Sequence, residues 1–193
     1  MSDTVLPAGP TALDRILDSA YELFSRRGIA AVGVDEVVAR AGVAKSTLYR
    51  HFASKDELVL AFLERREQAW TRDWLETEAR RRGDTPEERL LAIFDVFGEW
   101  FLENDFEGCS FINVLLETTD RESAVRRACT IYLERIRGLV AQLALEAGLR
   151  EPQAFAHSWH ILMKGSIVAA AEGDMDAGKR AQAMARLLIE QYR

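Results

Sequence analysis

The run Lys45-Ser46-Thr47-Leu48-Tyr49-Arg50-His51 gathers hydrogen-bond donors onto one short segment, with a single aliphatic side chain among them. Set as a helix at about 100° per residue, with Leu48 turned to a core, it puts Ser46 and Arg50 nearly opposite. Thr47 and Tyr49 flank them, and Lys45 and His51 fall near the edges. Such a face suits the DNA major groove, roughly 12 Å wide. Arg50 offers the paired donors that match guanine O6 and N7. Lys45, Thr47, Tyr49 and His51 can donate to phosphate oxygens. Lys55 opens the following helix, where free backbone N–H groups and the positive dipole end favour phosphate. The same residues would also serve as the solvated face of a small helical hairpin, and spacing alone leaves both readings open.

The elements that must position this face are legible around it. Residues 34–52, VDEVVARAGVAKSTLYRHF, read as a short helix stopped at Gly42, a turn at Gly42-Val43, and a second short helix. That is a helix-turn-helix. Ahead of it, Leu13, Ile16, Leu17, Ala20, Leu23 and Phe24 form one apolar stripe, with Thr11 as N-cap, Asp14 completing a capping pair and Gly28 as the stop. Ser54 caps a long fourth helix to about Arg82, with Val59, Phe62, Leu63, Trp70 and Trp74 along one side. Thr85-Pro86-Glu87-Glu88 opens a fifth helix as N-cap, first-turn proline and capping-box glutamate. A sixth is expected around Phe111–Glu117, a seventh over about 122–147, an eighth over about 152–171 and a ninth over about 176–192. The eighth is apolar on most sides and must be covered on most sides, for which a partner subunit is a candidate.

Charge is unevenly spread along the 193 residues. The net charge is −6, yet residues 26–55 carry six basic side chains against Asp35 and Glu36. Screening confines charge effects to about 10 Å at 0.1 M salt, so the local balance outweighs the total. The N-terminal fifth can therefore face an anion while the rest need not. Composition is close to the globular average, and no run of 18 apolar residues offers a membrane span. The start, MSDTVLPAGP, has neither a basic n-region nor an apolar h-region, so no secretion signal is expected and a cytoplasmic location is. Cys109 and Cys129 are too few for a disulfide scaffold. No Ser/His/Asp, paired-carboxylate or glycine-rich phosphate constellation supports catalysis, and neither a cofactor nor a metal is expected.

Residues 11–60 resemble the DNA-binding domain of the tetracycline-repressor (TetR) family of bacterial transcription regulators. The resemblance rests on AYELFSRRG and then AGVAKSTLYRHFASKDEL, with its G-V-x-K-x-T-L-Y-x-H-F core. It implies an all-α homodimer of about nine helices per chain: a tail (1–10), a helix-turn-helix DNA-binding domain (11–54) and a ligand-binding and dimerisation domain (55–193). It places Thr47, Tyr49, His51 and Lys55 on phosphates, and Lys45, Ser46 and Arg50 near bases. Two positions depart from the pattern: Gly33 and Ala44 stand where the caps of the two short helices are usually Ser or Thr, and Ala is the poorer cap by about 1 kcal/mol.

The remainder resembles the family's C-terminal domain less specifically, through Gly108-Cys109-x-Phe111-x-Asn113 and the later stretch KGSIVAAAEGD. This implies dimerisation through helices eight and nine, with Ile161, Gly165, Val168, Met184 and Leu188 as candidate interface residues. Trp100, Phe101, Cys109, Phe111, Asn113, Tyr132, Trp159 and Met163 are candidates for an effector pocket; the apolar ones equally suit a filled core, and Asn113, like Glu117, equally suits a helix hydrogen-bonder. Cys109 is a candidate thiol sensor or a buried apolar group. His157 and His160 have a spacing that can bind metal, but no third ligand is evident. The expected function is a ligand-responsive repressor that binds a pseudopalindromic operator as a homodimer and is released by a small apolar or amphipathic molecule. The alternatives are a redox-sensing regulator acting through Cys109, and a ligand-binding module whose helix-turn-helix is vestigial.

Overall fold

The computed structural model describes residues 9–193, so all but the last two residues of the expected tail lie outside it. The described residues form helices and no strand: α1 (Ala12–Ala31), α2 (Val34–Ala41), α3 (Lys45–His51), α4, α5 (Pro86–Trp100), α6 (Ser110–Glu117), α7 (Ala124–Glu146), α8 (Pro152–Ala171) and α9 (Ala177–Tyr192). The long α4 is α-helical over Lys55–Arg66, π-helical over Glu67–Glu76 and α-helical again over Thr77–Arg82. Among the described residues no helix is long and apolar enough to cross a membrane. The chain divides into two compact units, ending at Phe62 and beginning at Leu63.

In the first unit, α1 starts at a reciprocal cap. Thr11 Oγ1 accepts from the Asp14 amide at 3.2 Å, and the Asp14 carboxylate accepts from the Thr11 amide at 2.9 Å. Gly28 interrupts the helix with φ +77°, a conformation that strains any residue with a Cβ. Gly42 ends α2 in the left-handed region, at φ +62°, and its neighbour Val43 starts the turn into α3. Neither Gly33 nor Ala44, the N-caps of α2 and α3, supplies a side-chain hydrogen bond, so both short helices rest on packing. That packing buries Ile16, Phe24, Val37 and Leu48. The unit extends past the boundary expected at residue 54 because the first turns of α4 contribute Leu58, Val59 and Phe62 to the same core. The Phe62 ring meets Tyr21 and Phe24 edge-on at 5.7 and 5.6 Å.

In the second unit, α5 opens at the expected capping box of Thr85 and Glu88 behind a first-turn proline. It packs against α4, α7 and α9, while α8 lies between α7 and α9. At the α5–α9 crossing the two backbones touch: a Cβ at Gly178 would stand 2.9 Å from both Gly98 Cα and the Phe94 carbonyl oxygen. The π-helical part of α4 departs from the expected continuous α-helix. Its i→i+5 bonding is matched by side chains five apart, Gln68 with Asp73 at 2.8 Å and Arg72 with Glu67 at 3.0 Å. The wider turn buries Glu67, Thr71 and Leu75 beside Trp70, where the sequence stripe marked only Trp70 and Trp74.

Candidate nucleic-acid interface

The helix-turn-helix fixes α3 by one side. Leu48 is fully buried, whereas Lys45, Ser46, Tyr49, Arg50 and His51 are exposed and Thr47 is half-buried. The outward face expected from the rotation of the helix is therefore present as a single surface. Burying one leucine is worth about 1.5–3 kcal/mol, which anchors a seven-residue helix that has no side-chain cap.

The electrostatics of this unit differ from a simple count of cations. Arg40 forms a forked pair with Glu22, its Nε donating at 2.9 Å, and Arg26 approaches the same carboxylate at 3.6 Å. Arg27 pairs with Glu36. Lys45 Nζ lies 2.6 Å from Asp35 Oδ1, and this hydrogen bond, then the charge of Asp35, raises the lysine's pKa above its ordinary value. Lys55 donates to the Ile29 carbonyl just beyond the Gly28 break, so part of its role is to tie the end of α1 to the start of α4. Arg50 has no ion-pair partner among the described residues. Sequence reasoning missed these partners: Arg40 with Glu22, Arg27 with Glu36 and Lys45 with Asp35 lie across helices, at separations that no local pattern marks, whereas Arg26 with Glu22 is a pair four residues apart within α1 that helical spacing marks.

The candidate effector residues of the second unit do not all share one environment. Trp100 and Phe101 stack with each other, with Phe97 and with Phe106, and Trp70 reaches Trp100 at 5.0 Å. Trp159 packs on Phe94 and Phe155, and Phe111 on Tyr132. Met163 is buried. Asn113 is exposed, and its amide donates to the Glu107 carbonyl at 3.1 Å beside Gly108, whose φ is +74°. The G-C-x-F-x-N pattern thus works locally as a clasp on the loop before α6. Cys109 and Cys129 are free and buried; burial pushes both thiols up, Cys129 to about 12. Among the described residues no three His, Cys, Asp or Glu side chains are grouped to hold a metal ion.

The candidate interface residues line an open apolar face of α8 and α9. Ile161 is 69% exposed, Val168 51% and Met184 56%, with Leu188 half-buried. Gly165 lies among them with open space where a Cβ would stand.

These features define an all-helical helix-turn-helix protein with a separate C-terminal bundle. Residues 16–62 match the family model described as bacterial regulatory proteins, tetR family, and residues 86–177 match the transcriptional regulator LmrA/YxaF-like C-terminal domain. The transcriptional activator FasR of Mycolicibacterium smegmatis is 40% identical over 101 residues, which is 51% of this chain and 43% of that protein. The chain thus spans less than half the length of that curated relative. The regulator AcrR of Shigella flexneri is 27% identical over 191 residues, 92% of this chain and 87% of its own. The crystal structure of a TetR-family transcriptional regulator from Streptomyces coelicolor superposes with a TM-score of 0.86 at 26% identity, covering 94% of this chain and 95% of that one. The chain belongs to the TetR family of transcriptional regulators.

Proposed function

We propose that the chain is a ligand-responsive DNA-binding regulator, acting in the cytoplasm as a homodimer on a pseudopalindromic operator. The observation that carries this reading is the α3 surface: Leu48 buried on one side, and Ser46, Tyr49 and Arg50 exposed on the other. Lys45, Ser46 and Arg50 face bases. Thr47, Tyr49, His51 and Lys55 hold phosphates; an ammonium has three donors, so Lys55 can keep the Ile29 carbonyl and still reach an oxygen. Two copies joined through the apolar faces of α8 and α9 would present two recognition helices to successive major grooves, roughly 34–36 Å apart.

The effector is a small apolar or amphipathic molecule received among the aromatic side chains of the second unit. It releases DNA only by preferring a conformation in which the recognition helices do not fit, since equal affinity for both states shifts nothing. Residues of α4 belong to both compact units, which makes that helix the covalent path for the change. Burial and raised pKa leave little thiolate at Cys109, which opposes the redox-sensing alternative.

Selection of bound sequences from a random duplex pool, with ligand-stripped protein, tests the reading. Enrichment of a palindrome with half-sites about one turn apart supports it, and no enrichment overturns it. Repression is the proposed outcome, while the M. smegmatis relative is named an activator. A reporter on the selected operator decides: expression that rises when the regulator is removed supports repression, and expression that falls assigns activation.

A further inference from the structure

Lys45 is the first residue of α3, and the leading end of a recognition helix is the part that reaches base edges. Yet its ammonium is already engaged. Asp35, from the first turn of α2, brings Oδ1 to 2.6 Å, and the carboxylate is itself 77% exposed. The two charges therefore stand together, in water, at the leading edge of the proposed reading face. The pairs made by Arg27 and Arg40 differ, since neither arginine belongs to α3.

We propose that Asp35 is a specificity-determining residue: it holds the Lys45 ammonium at the leading end of α3, weakens the attraction of that end for DNA of any sequence, and favours a base that presents an amino donor there. The inference rests on the DNA-reading function proposed above. An ionised carboxylate only accepts hydrogen bonds, so it is repelled by phosphate and by the O6 and N7 acceptors of guanine. Cytosine N4 and adenine N6 are the donors exposed in the major groove, and Asp or Glu on cytosine N4 is an established pairing. An exposed ion pair is weak and screened by salt. It can therefore open on contact, and the lysine is shared between Asp35 and DNA.

A purely structural role predicts the opposite sign. Asp35 also lies at the positive end of the α2 dipole. If that were its whole contribution, removing the charge would loosen the helix-turn-helix and weaken binding to every sequence.

The test uses the full chain and its Asp35→Asn, Asp35→Glu, Lys45→Ala and Asp35→Asn/Lys45→Ala variants. Each is titrated onto random-sequence duplex at several KCl concentrations and put through selection from a random pool. Asp35→Asn is expected to bind random-sequence DNA roughly tenfold more tightly, with a salt slope steeper by about one per protomer. It should also lose its preference for cytosine or adenine at one position of each half-site. Asp35→Glu should retain that preference, and the gain on random DNA should shrink in the Lys45→Ala background to the part that comes from relieving carboxylate–phosphate repulsion. Unchanged or weaker random-sequence binding by Asp35→Asn, with an unchanged base ranking, overturns the proposal while leaving the DNA-reading function intact. A wild-type chain that enriches no sequence overturns both.

Discussion

Replacing Gly178 by alanine probes how α9, which carries half of the proposed dimer face, is seated on α5. The added methyl would lie 2.9 Å from Gly98 Cα, 2.9 Å from the Phe94 carbonyl oxygen and 3.0 Å from the Gly98 nitrogen. All three are backbone atoms of α5, so no side chain can swing aside, and the two helices must move apart. Ordinary contact begins near 3.4 Å, so the crossing must open by roughly half an ångström in a close-packed interior. Overpacking of this kind costs about 1–3 kcal/mol. Alanine recovers up to about 1 kcal/mol of helix propensity over glycine. With that recovery in full the expected net loss is about 0–2 kcal/mol, a fall in Tm of up to roughly 8 °C for a chain of this size, and the gap from a stabilised control is larger by the propensity gain. Gly138→Ala in α7 is the matched control. Nothing lies within 4 Å of its would-be Cβ, and it is exposed. There the propensity gain stands alone, at about 0.5–1 kcal/mol of stabilisation. Both variants are measured by urea and thermal unfolding at fixed protein concentration, since the proposed dimerisation would make Tm concentration-dependent. A Gly178→Ala chain as stable as Gly138→Ala would refute the close-contact argument.

Leu48→Ala should cost about 2–5 kcal/mol and abolish DNA binding by loosening α3; retained operator affinity with unchanged urea unfolding would contradict the anchoring role. Ile161→Asp should give a monomer by sedimentation, because it puts a charge into the proposed α8–α9 face, and a dimer that persists at micromolar concentration would move the interface elsewhere. His160 is buried, and desolvation first, then Lys164, Arg137 and His157, lower its pKa to about 3. Below pH 6.5 the unfolded chain binds a proton that the folded chain does not. Stability from this group is therefore complete above pH 6.5 and falls as pH drops towards 3, by up to about 1.4 kcal/mol per pH unit. Urea midpoints from pH 7.5 to 5 should show this slope, and His160→Gln should flatten it.

The local signals in the chain were enough for much of the fold. Thr11 with Asp14 and Thr85 with Glu88 marked two helix starts, and the Gly28 and Gly42 stops became positive-φ breaks. The same holds for the inner and outer sides of α3, because a seven-residue helix with one leucine has one way to face a core. What escaped is non-local. The ion pairs of Arg40 with Glu22 and Lys45 with Asp35 join residues 18 and 10 positions apart on different helices. The π-helical stretch escapes a reading at 3.6 residues per turn throughout α4, and the apolar stripe leaves out Glu67 and Thr71 because both are polar. The bond from the Asn113 amide to the Glu107 carbonyl is likewise unmarked in the sequence, which leaves this side chain open as a polar contact or a hydrogen-bonder.

The acid partners of the N-terminal cations bear on the search for a target as well as on its recognition. With Glu22 set against Arg26 and Arg40, Glu36 against Arg27 and Asp35 against Lys45, the unit offers a mostly compensated surface from which Arg50 projects. On the proposed reading, a regulator built this way dwells briefly on arbitrary duplex, because sequence-independent residence depends on the number of phosphates neutralised. It would then travel by short contacts and frequent re-collision through bulk water more than by long slides along the helix. Tracking of labelled molecules on stretched DNA would show short scanning runs that lengthen when those carboxylates are replaced by their amides.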